Sequence, residues 1–221
     1  MRLLDLFCGA GGAGAGYIDA GFDVTGVDIA DHSHHYPGEF IQGDALEYLK
    51  EHGHEYDAIH ASPPCQASTA LTKGTNQGRQ YLNLIPETRQ LLANYSVPTV
   101  IENVQGSDLR RDMTLCGEMF RLDVIRHRYF ELNGFPFWEP PHVKHRGRVR
   151  GWRHGVYHDG PYLAVYGDGG GKGSVLEWRA AMGIDWTMDR KAIAEAIPPA
   201  YTKKIGSQIM AYLTWPLDGG A

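Results

Sequence analysis

Ser62-Pro63-Pro64-Cys65-Gln66 puts a thiol behind two prolines, immediately after the apolar run Tyr56 to Ala61. The prolines stiffen the loop, and a cysteine presented at a strand end can act as a nucleophile where exposure and nearby positive charge favour its thiolate. A second apolar run, Thr99 to Val104, carries Ile101-Glu102-Asn103-Val104 at its end. If both runs are strands of one parallel sheet, Glu102 and Cys65 reach the same edge, where a protonated carboxyl could donate to a ring nitrogen. Taken separately, either residue could be structural.

Asp5-Leu6-Phe7-Cys8-Gly9-Ala10-Gly11-Gly12 closes a first apolar run with glycines. Such glycines let the backbone turn tightly and approach a ligand without side-chain obstruction. Asp28-Ile29 ends the run Val24 to Asp28, where a carboxylate can accept hydrogen bonds from both hydroxyls of a ribose. Gly43-Asp44-Ala45 follows Phe40-Ile41-Gln42, and Asp44 could accept from an adenine amino group. Asp28 and Asp44 also read as caps of helices or turns. Together with the glycine loop, the set points to an adenosine-containing cofactor.

The elements that must position these groups follow from the same rhythm. Leu3 to Phe7, Val24 to Asp28, Tyr56 to Ala61 and Thr99 to Val104 read as strands, and segments around Gly14 to Ala20, Ala45 to His52 and Glu87 to Tyr95 read as crossover helices. This predicts an α/β fold with an open, mostly parallel sheet that binds ligands at the carboxyl ends of its strands. From Phe135 to Gly173 the sequence turns to Pro, Gly, His, Arg and Trp, with only Tyr162 to Tyr166 strand-like; an irregular or mobile insertion is expected there. Val175 to Met182 and Tyr201 to Leu213 then read as helices. The expected division is a core over residues 1–134, an insertion over 135–174, and C-terminal helices over 175–221 that complete the core.

At 221 residues, 43% hydrophobic and 21% charged, the chain has the composition of one self-folding globular domain. It holds no run of roughly 18 apolar residues and no cleavable leader pattern, so a cytoplasmic protein is expected. Cys8, Cys65 and Cys116 have no paired spacing, which argues for free thiols. His32, His34, His35, His52, His54 and His60 match no zinc-site spacing and are expected at the surface, with no metal. Gly169-Gly170-Gly171-Lys172-Gly173 is not followed by Ser or Thr in the phosphate-loop position and reads as a flexible loop. The formal net charge of -5 hides a basic stretch, Lys144, Arg146, Arg148, Arg150 and Arg153, that includes Trp152; it could hold phosphates and stack or wedge a base, or be a solvated loop.

Asp5 through Gly12, Pro63-Pro64-Cys65-Gln66, Glu102-Asn103-Val104 and Arg126-His127-Arg128, in that order, resemble the DNA cytosine-C5 methyltransferases. The resemblance extends to Glu177 through Gly183 and Ala194 through Gly206, where Ala196-Ile197-Pro198-Pro199 is similar to the family's closing motif. It implies a Rossmann-like S-adenosylmethionine-dependent fold. The donor would be held by Phe7, Cys8, Gly9, Gly11, Gly12, Asp28, Ile29, Asp44, Ala45, Pro64, Glu195 and Ala196. It further implies that Cys65 adds to C6 of a flipped or unpaired cytosine, that Glu102 acts at N3, and that Arg126 and Arg128 meet the base carbonyl and a flanking phosphate. For Arg126 and Arg128, an alternating strand face of solvated arginines is the bland alternative.

The chain departs from the family at two places. Glu195 stands where the family carries Asn near the donor's transferable group; the added carboxylate should favour a cationic donor over a carboxylated S-adenosylmethionine. The segment available for base recognition is short, so sequence specificity should be short or loose. Such reduced chains resemble enzymes of bacterial viruses, where modification can protect DNA from host nucleases. An RNA cytosine-C5 methyltransferase, an enzyme using a variant donor, and a non-catalytic DNA-binding regulator are the competing readings. Activity on tRNA but not DNA would distinguish the first, and the intact set Cys65, Glu102, Arg126 and Arg128 argues against the last.

Overall fold

The computed structural model describes residues 1–64, 83–153, 155–166 and 173–215, with the backbone alone at Arg153. Seven strands form the main sheet: β1 (Arg2–Leu6), β2 (Asp23–Asp28), β3 (Glu39–Gln42), β4 (Ala58–Ala61), β5 (Thr99–Val104), β6 (Met113–Leu115) and β7 (Arg128–Asn133). Their order is β3-β2-β1-β4-β5-β7-β6. The first five run parallel, and β7 is antiparallel to both β5 and β6. Chain order reverses at β1, between β2 and β4, which opens the crevice that doubly wound sheets use for ligands. The expected α/β class and all four predicted strands are present; the antiparallel pair β6–β7 had no periodic signal in the sequence.

Helices cover both faces, which is why the strands read as continuous apolar runs. Side chains alternate between the faces with the strand's period of two. Leu3, Val24, Ala58, Val100 and Phe130 pack with Tyr17 of α1 (Gly12–Asp19) and with Tyr201, Ile205 and Ile209 of α6 (Pro199–Thr214). Leu4, Val27, Ile59 and Ile101 pack on the other face with Leu49 of α2 (Ala45–His52) and with Ile85 and Leu92 of α3 (Ile85–Leu92). A third cluster joins Val124, Leu163 and Val165 to Trp178 and Met182 of α4 (Val175–Met182) and Ile193 of α5 (Arg190–Glu195).

The α1–α6 contact depends on glycine. A Cβ on Gly16 would lie 2.1 Å from both Pro199 O and Thr202 Oγ1, and Thr202 Oγ1 already donates to Ala13 O at 2.8 Å. Backbone cannot yield as a flexible side chain would, so Gly16→Ala should lower stability by about 2 kcal/mol, or about 4–8 °C in Tm, measured by thermal denaturation.

Two expectations about the second half change. Tyr162 to Tyr166 is not a strand: Tyr162 makes only an isolated bridge to Val149, and Tyr162, Leu163, Ala164 and Val165 are all buried. A short apolar run cannot by itself distinguish a strand from an irregular buried segment, and here Leu163 and Val165 pack into the helical cluster without a partner strand. The insertion is also not wholly irregular, since β8 (Gly151–Arg153) and β9 (Val156–His158) form a separate antiparallel pair. Gly169, Gly170, Gly171 and Lys172 lie outside the described residues. Among the described residues, no helix is long and apolar enough to cross a membrane.

Candidate active site

The carboxyl ends of β1, β2, β4 and β5, with the start of antiparallel β7, meet at one edge of the sheet. They surround a cleft of about 800 Å³ whose lining includes Phe7, Cys8, Gly9, Gly12, Asp28 and Ile29 from the first two strand ends. Pro64, Glu102, Arg128, Glu195 and Ala196 complete the predicted residues that line it. Cys65 lies outside the described residues; Pro64, which precedes it in sequence, is on the cleft wall.

The glycine loop is built for close approach. Phe7 and Gly9 both take positive φ, 56° and 49°, and a Cβ on Gly9 would meet nothing within 4 Å, leaving open space over that backbone. A non-glycine residue in that region carries strain that the surrounding structure must hold. Asp28 helps hold it: Oδ2 accepts from Gly9 N at 3.0 Å and Oδ1 from Ala30 N at 2.9 Å. Trp186 Nε1 donates to Ala10 O at 2.9 Å from the far side. Ile29 is 72% exposed beside Asp28, an apolar surface without cover at the mouth of a polar cleft.

Three predicted cofactor residues are placed differently. Asp44 Oδ1 caps α2, accepting from Leu46 N at 2.9 Å and Glu47 N at 3.0 Å, so the capping alternative describes its contacts. Neither Asp44 nor Ala45 is on the cleft lining, and Gly11 serves as the left-handed residue before α1.

Glu102 is buried at the cleft floor, and Arg128 Nε lies 2.9 Å from its Oε1. That oxygen is buried and takes no well-directed hydrogen bond among the described residues, so the Arg128 charge is what faces it. Burial raises the Glu102 carboxyl above the usual carboxylate range, opposed by the Arg128 charge and a hydrogen bond from Ser62. Behind Ser62 a buried relay continues: His60 Nε2 to Ser62 Oγ at 3.0 Å, and His60 Nδ1 to Tyr17 Oη at 2.9 Å. His60 is fully buried, contrary to its expected surface position, and burial pushes its pKa down to about 3, so the ring is neutral. It lies on β4 inside the continuous apolar run, where a lone histidine gives no periodic signal.

If Glu102 must be protonated to act, activity falls as pH rises through its pKa. Ser62→Ala removes a bond that favours the carboxylate, so the alkaline limb of kcat/KM against pH should move to higher pH; an unmoved limb would remove Ser62 from Glu102's control.

Arg126 and Arg128 part company. Arg128 faces the cleft, whereas Arg126 donates from Nη1 to Val165 O at 2.8 Å and from Nη2 to Ala194 O at 2.6 Å, tying the insertion to the C-terminal segment. Asn103, which the sequence offered only as part of a motif, donates from Nδ2 to Pro63 O at 2.8 Å and so ties the end of β5 to the segment after β4. Burial raises the thiols of both Cys8 and Cys116, and it leaves Cys8, which lines the cleft, protonated and poorly nucleophilic near neutral pH.

The basic stretch is partly committed to the fold. Arg146 meets Glu118 at 3.0 Å and Asp123 at 3.1 Å, Arg150 pairs with Glu177, and Arg148 contacts His158. Lys144 is exposed without an ion pair among the described residues, and Trp152 is 69% exposed against Tyr157.

A family model described as C-5 cytosine-specific DNA methylase matches residues 1–112, half of the chain. The chain belongs to that family. A 122-residue stretch is 28% identical to the type II methyltransferase M.FnuDI of Fusobacterium nucleatum, covering 51% of this chain and 35% of that protein. The chain therefore matches about a third of the length of that curated relative. Among solved structures, Dnmt2 methyltransferase of S. pombe superposes with a TM-score of 0.63 at 14% identity, covering 97% of this chain and 100% of that one. A mutant of Spodoptera frugiperda DNMT2 gives 0.60 at 14% identity, covering 95% and 99%. These likenesses show the same fold over nearly the whole of the chain.

Proposed function

We propose that this member of the cytosine methylase family transfers a methyl group from S-adenosylmethionine to C5 of cytosine in DNA. The observation that carries the reading is the convergence of the glycine loop, Asp28, Pro64, Glu102 and Arg128 on one cleft at the sheet's ligand-binding edge. The cleft fits the donor in volume and in chemistry: open backbone at Gly9, a carboxylate at Asp28 for ribose hydroxyls, and bare apolar surface at Ile29 for a purine face. Carboxylates dominate the surroundings. Buried Asp5, beneath the loop, has its pKa raised to about 7 by burial, with Asp28 and Glu102 repelling its charge. Such a site suits a cationic ligand. The donor supplies an electrophilic methyl group on a sulfonium.

Cytosine C5 is too weak a nucleophile to take that methyl directly. Addition of the Cys65 thiolate to C6 forms a C–S bond and gives C5 enamine character, while Glu102 protonates or holds N3 as charge develops on the ring. Arg128 holds Glu102 in place and brings positive charge to the base. C5 then forms its bond to the methyl carbon as the methyl–sulfur bond breaks. Loss of the C5 proton to a base and expulsion of the Cys65 thiolate restore the ring. A base in a duplex must be flipped to reach this cleft, and Lys144 and Trp152 on the insertion are available for phosphate and stacking contacts. Arg146, Arg148 and Arg150 would contribute charge to the same surface; in Arg126 we read a positioning residue that aligns Arg128.

Glu195 lines the cleft with Lys191 Nζ 3.9 Å away, so its charge is partly offset. Ordinary S-adenosylmethionine remains the proposed donor, and tighter binding of a carboxylated analogue in a calorimetric titration would overturn that choice. The reaction itself is tested by incubating the full chain with labelled donor and duplex DNA, single-stranded DNA or tRNA, then identifying nucleosides by mass. 5-Methylcytosine from DNA is the expected product; 5-methylcytosine from tRNA alone would transfer the reading to RNA.

A further inference from the structure

Cys116, His127, and the pair His142 and His145 come from three separate segments, and none has been given a role above, yet their ligand atoms all lie within 4.8 Å of one another. Cys116 follows β6 and opens a short 3-10 turn, Gly117–Phe120; His127 sits between Arg126 and Arg128 at the start of β7; His142 and His145 lie in the insertion. Cys116 Sγ is 3.3 Å from His145 Nε2, and His127 Nε2 is 3.1 Å from His142 Nε2. With metal–nitrogen bonds of about 2.0 Å and metal–sulfur bonds of about 2.3 Å, the edges of a tetrahedral zinc site are about 3.3–3.6 Å. Two of the separations, 3.1 and 3.3 Å, are close to these edges, and the remaining ones are no wider than 4.8 Å, so a small inward movement of the side chains would bring all four donors around one ion.

We propose that this cluster is a zinc site with one thiolate and three imidazole ligands, and that it pins the insertion to the catalytic end of β7. Four nitrogen and sulfur donors fill a tetrahedron and leave no open position, which makes the site structural. The chemistry of the surroundings supports it. The Nε2 atoms of the three histidines bond only within the group among the described residues. Ordinary Cys–His and His–His hydrogen bonds would satisfy the atoms in pairs but give no reason for the two pairs to converge. The ion would fix His127, and through it the backbone carrying Arg126 and Arg128. The inference does not depend on the proposed methyl transfer.

The test uses the full chain, purified without a polyhistidine tag from zinc-supplemented medium. Elemental analysis should find one zinc per chain. Cobalt(II) exchanged into the site should give tetrahedral absorption bands with a thiolate charge-transfer band, lost in Cys116→Ser. Because Cys116 is buried and its replacement could unfold the protein, His142→Ala provides a second arm at an exposed side chain. Folded His142→Ala should lose the stoichiometric zinc, and a strong chelator should lower the Tm of the parent but not of this variant. A folded parent chain with no bound zinc and no cobalt band, or a His142→Ala variant that keeps its zinc, would overturn the proposal.

Discussion

Cys65→Ser should leave donor binding intact and reduce formation of 5-methylcytosine by at least ~10³-fold, because a hydroxyl at that position cannot supply a thiolate to C6. The other two cysteines cannot substitute for it. Cys8 is buried in the glycine loop, where burial holds its thiol protonated, and Cys116 is buried in the histidine cluster and is not on the cleft lining. The measurement is single-turnover product formation beside calorimetric donor affinity. A Cys65→Ser protein that turns over at a tenth of the parent rate or better would remove covalent catalysis from the account, whatever its donor affinity.

Glu102→Gln should lower kcat by about 10²–10⁴-fold, the range expected when a positioned acid is lost from a developing transition state. The substitution keeps the shape of the side chain but not its ability to protonate N3, and it leaves the Arg128 guanidinium facing a neutral amide at 2.9 Å where a carboxylate stood. Removing one member of a buried ion pair also costs stability, so thermal denaturation must accompany the kinetics. Loss of kcat in a folded protein with donor affinity retained is the expected pattern. Loss of folding alone, with normal turnover by the molecules that do fold, would reduce Glu102 to a structural partner of Arg128.

Much of this arrangement could be read from residues because the strands are buried on both faces and so stand out as apolar runs. Leu3 to Phe7 and Thr99 to Val104 needed no further signal, and strand ends in such a sheet locate the cleft. The ambiguity between Asp28 and Asp44 was real: each follows an apolar run, but Asp28 faces the glycine loop whereas Asp44 begins a helix whose amides claim its oxygen. Arg126 and Arg128 looked equivalent at a spacing of two. β7 begins only at Arg128, so Arg126 lies outside the alternating strand and turns toward Val165 and Ala194. His60 and the group around Cys116 escaped for another reason. Their partners are brought together by tertiary folding across many residues, and no local period or spacing encodes that meeting.

The most direct measurement is the intact mass of the protein after incubation with donor and a DNA duplex in which the target cytosine carries fluorine at C5. Fluorine cannot leave C5 as a proton does, so Cys65 cannot be expelled and the adduct should persist. A donor-dependent covalent protein–DNA complex bearing the transferred methyl, mapped to Cys65 and missing from Cys65→Ser, is the predicted result. Methyl transfer to normal DNA with no such complex on the fluorinated duplex, or a complex mapped to another residue, would contradict the assignment of Cys65 as the nucleophile.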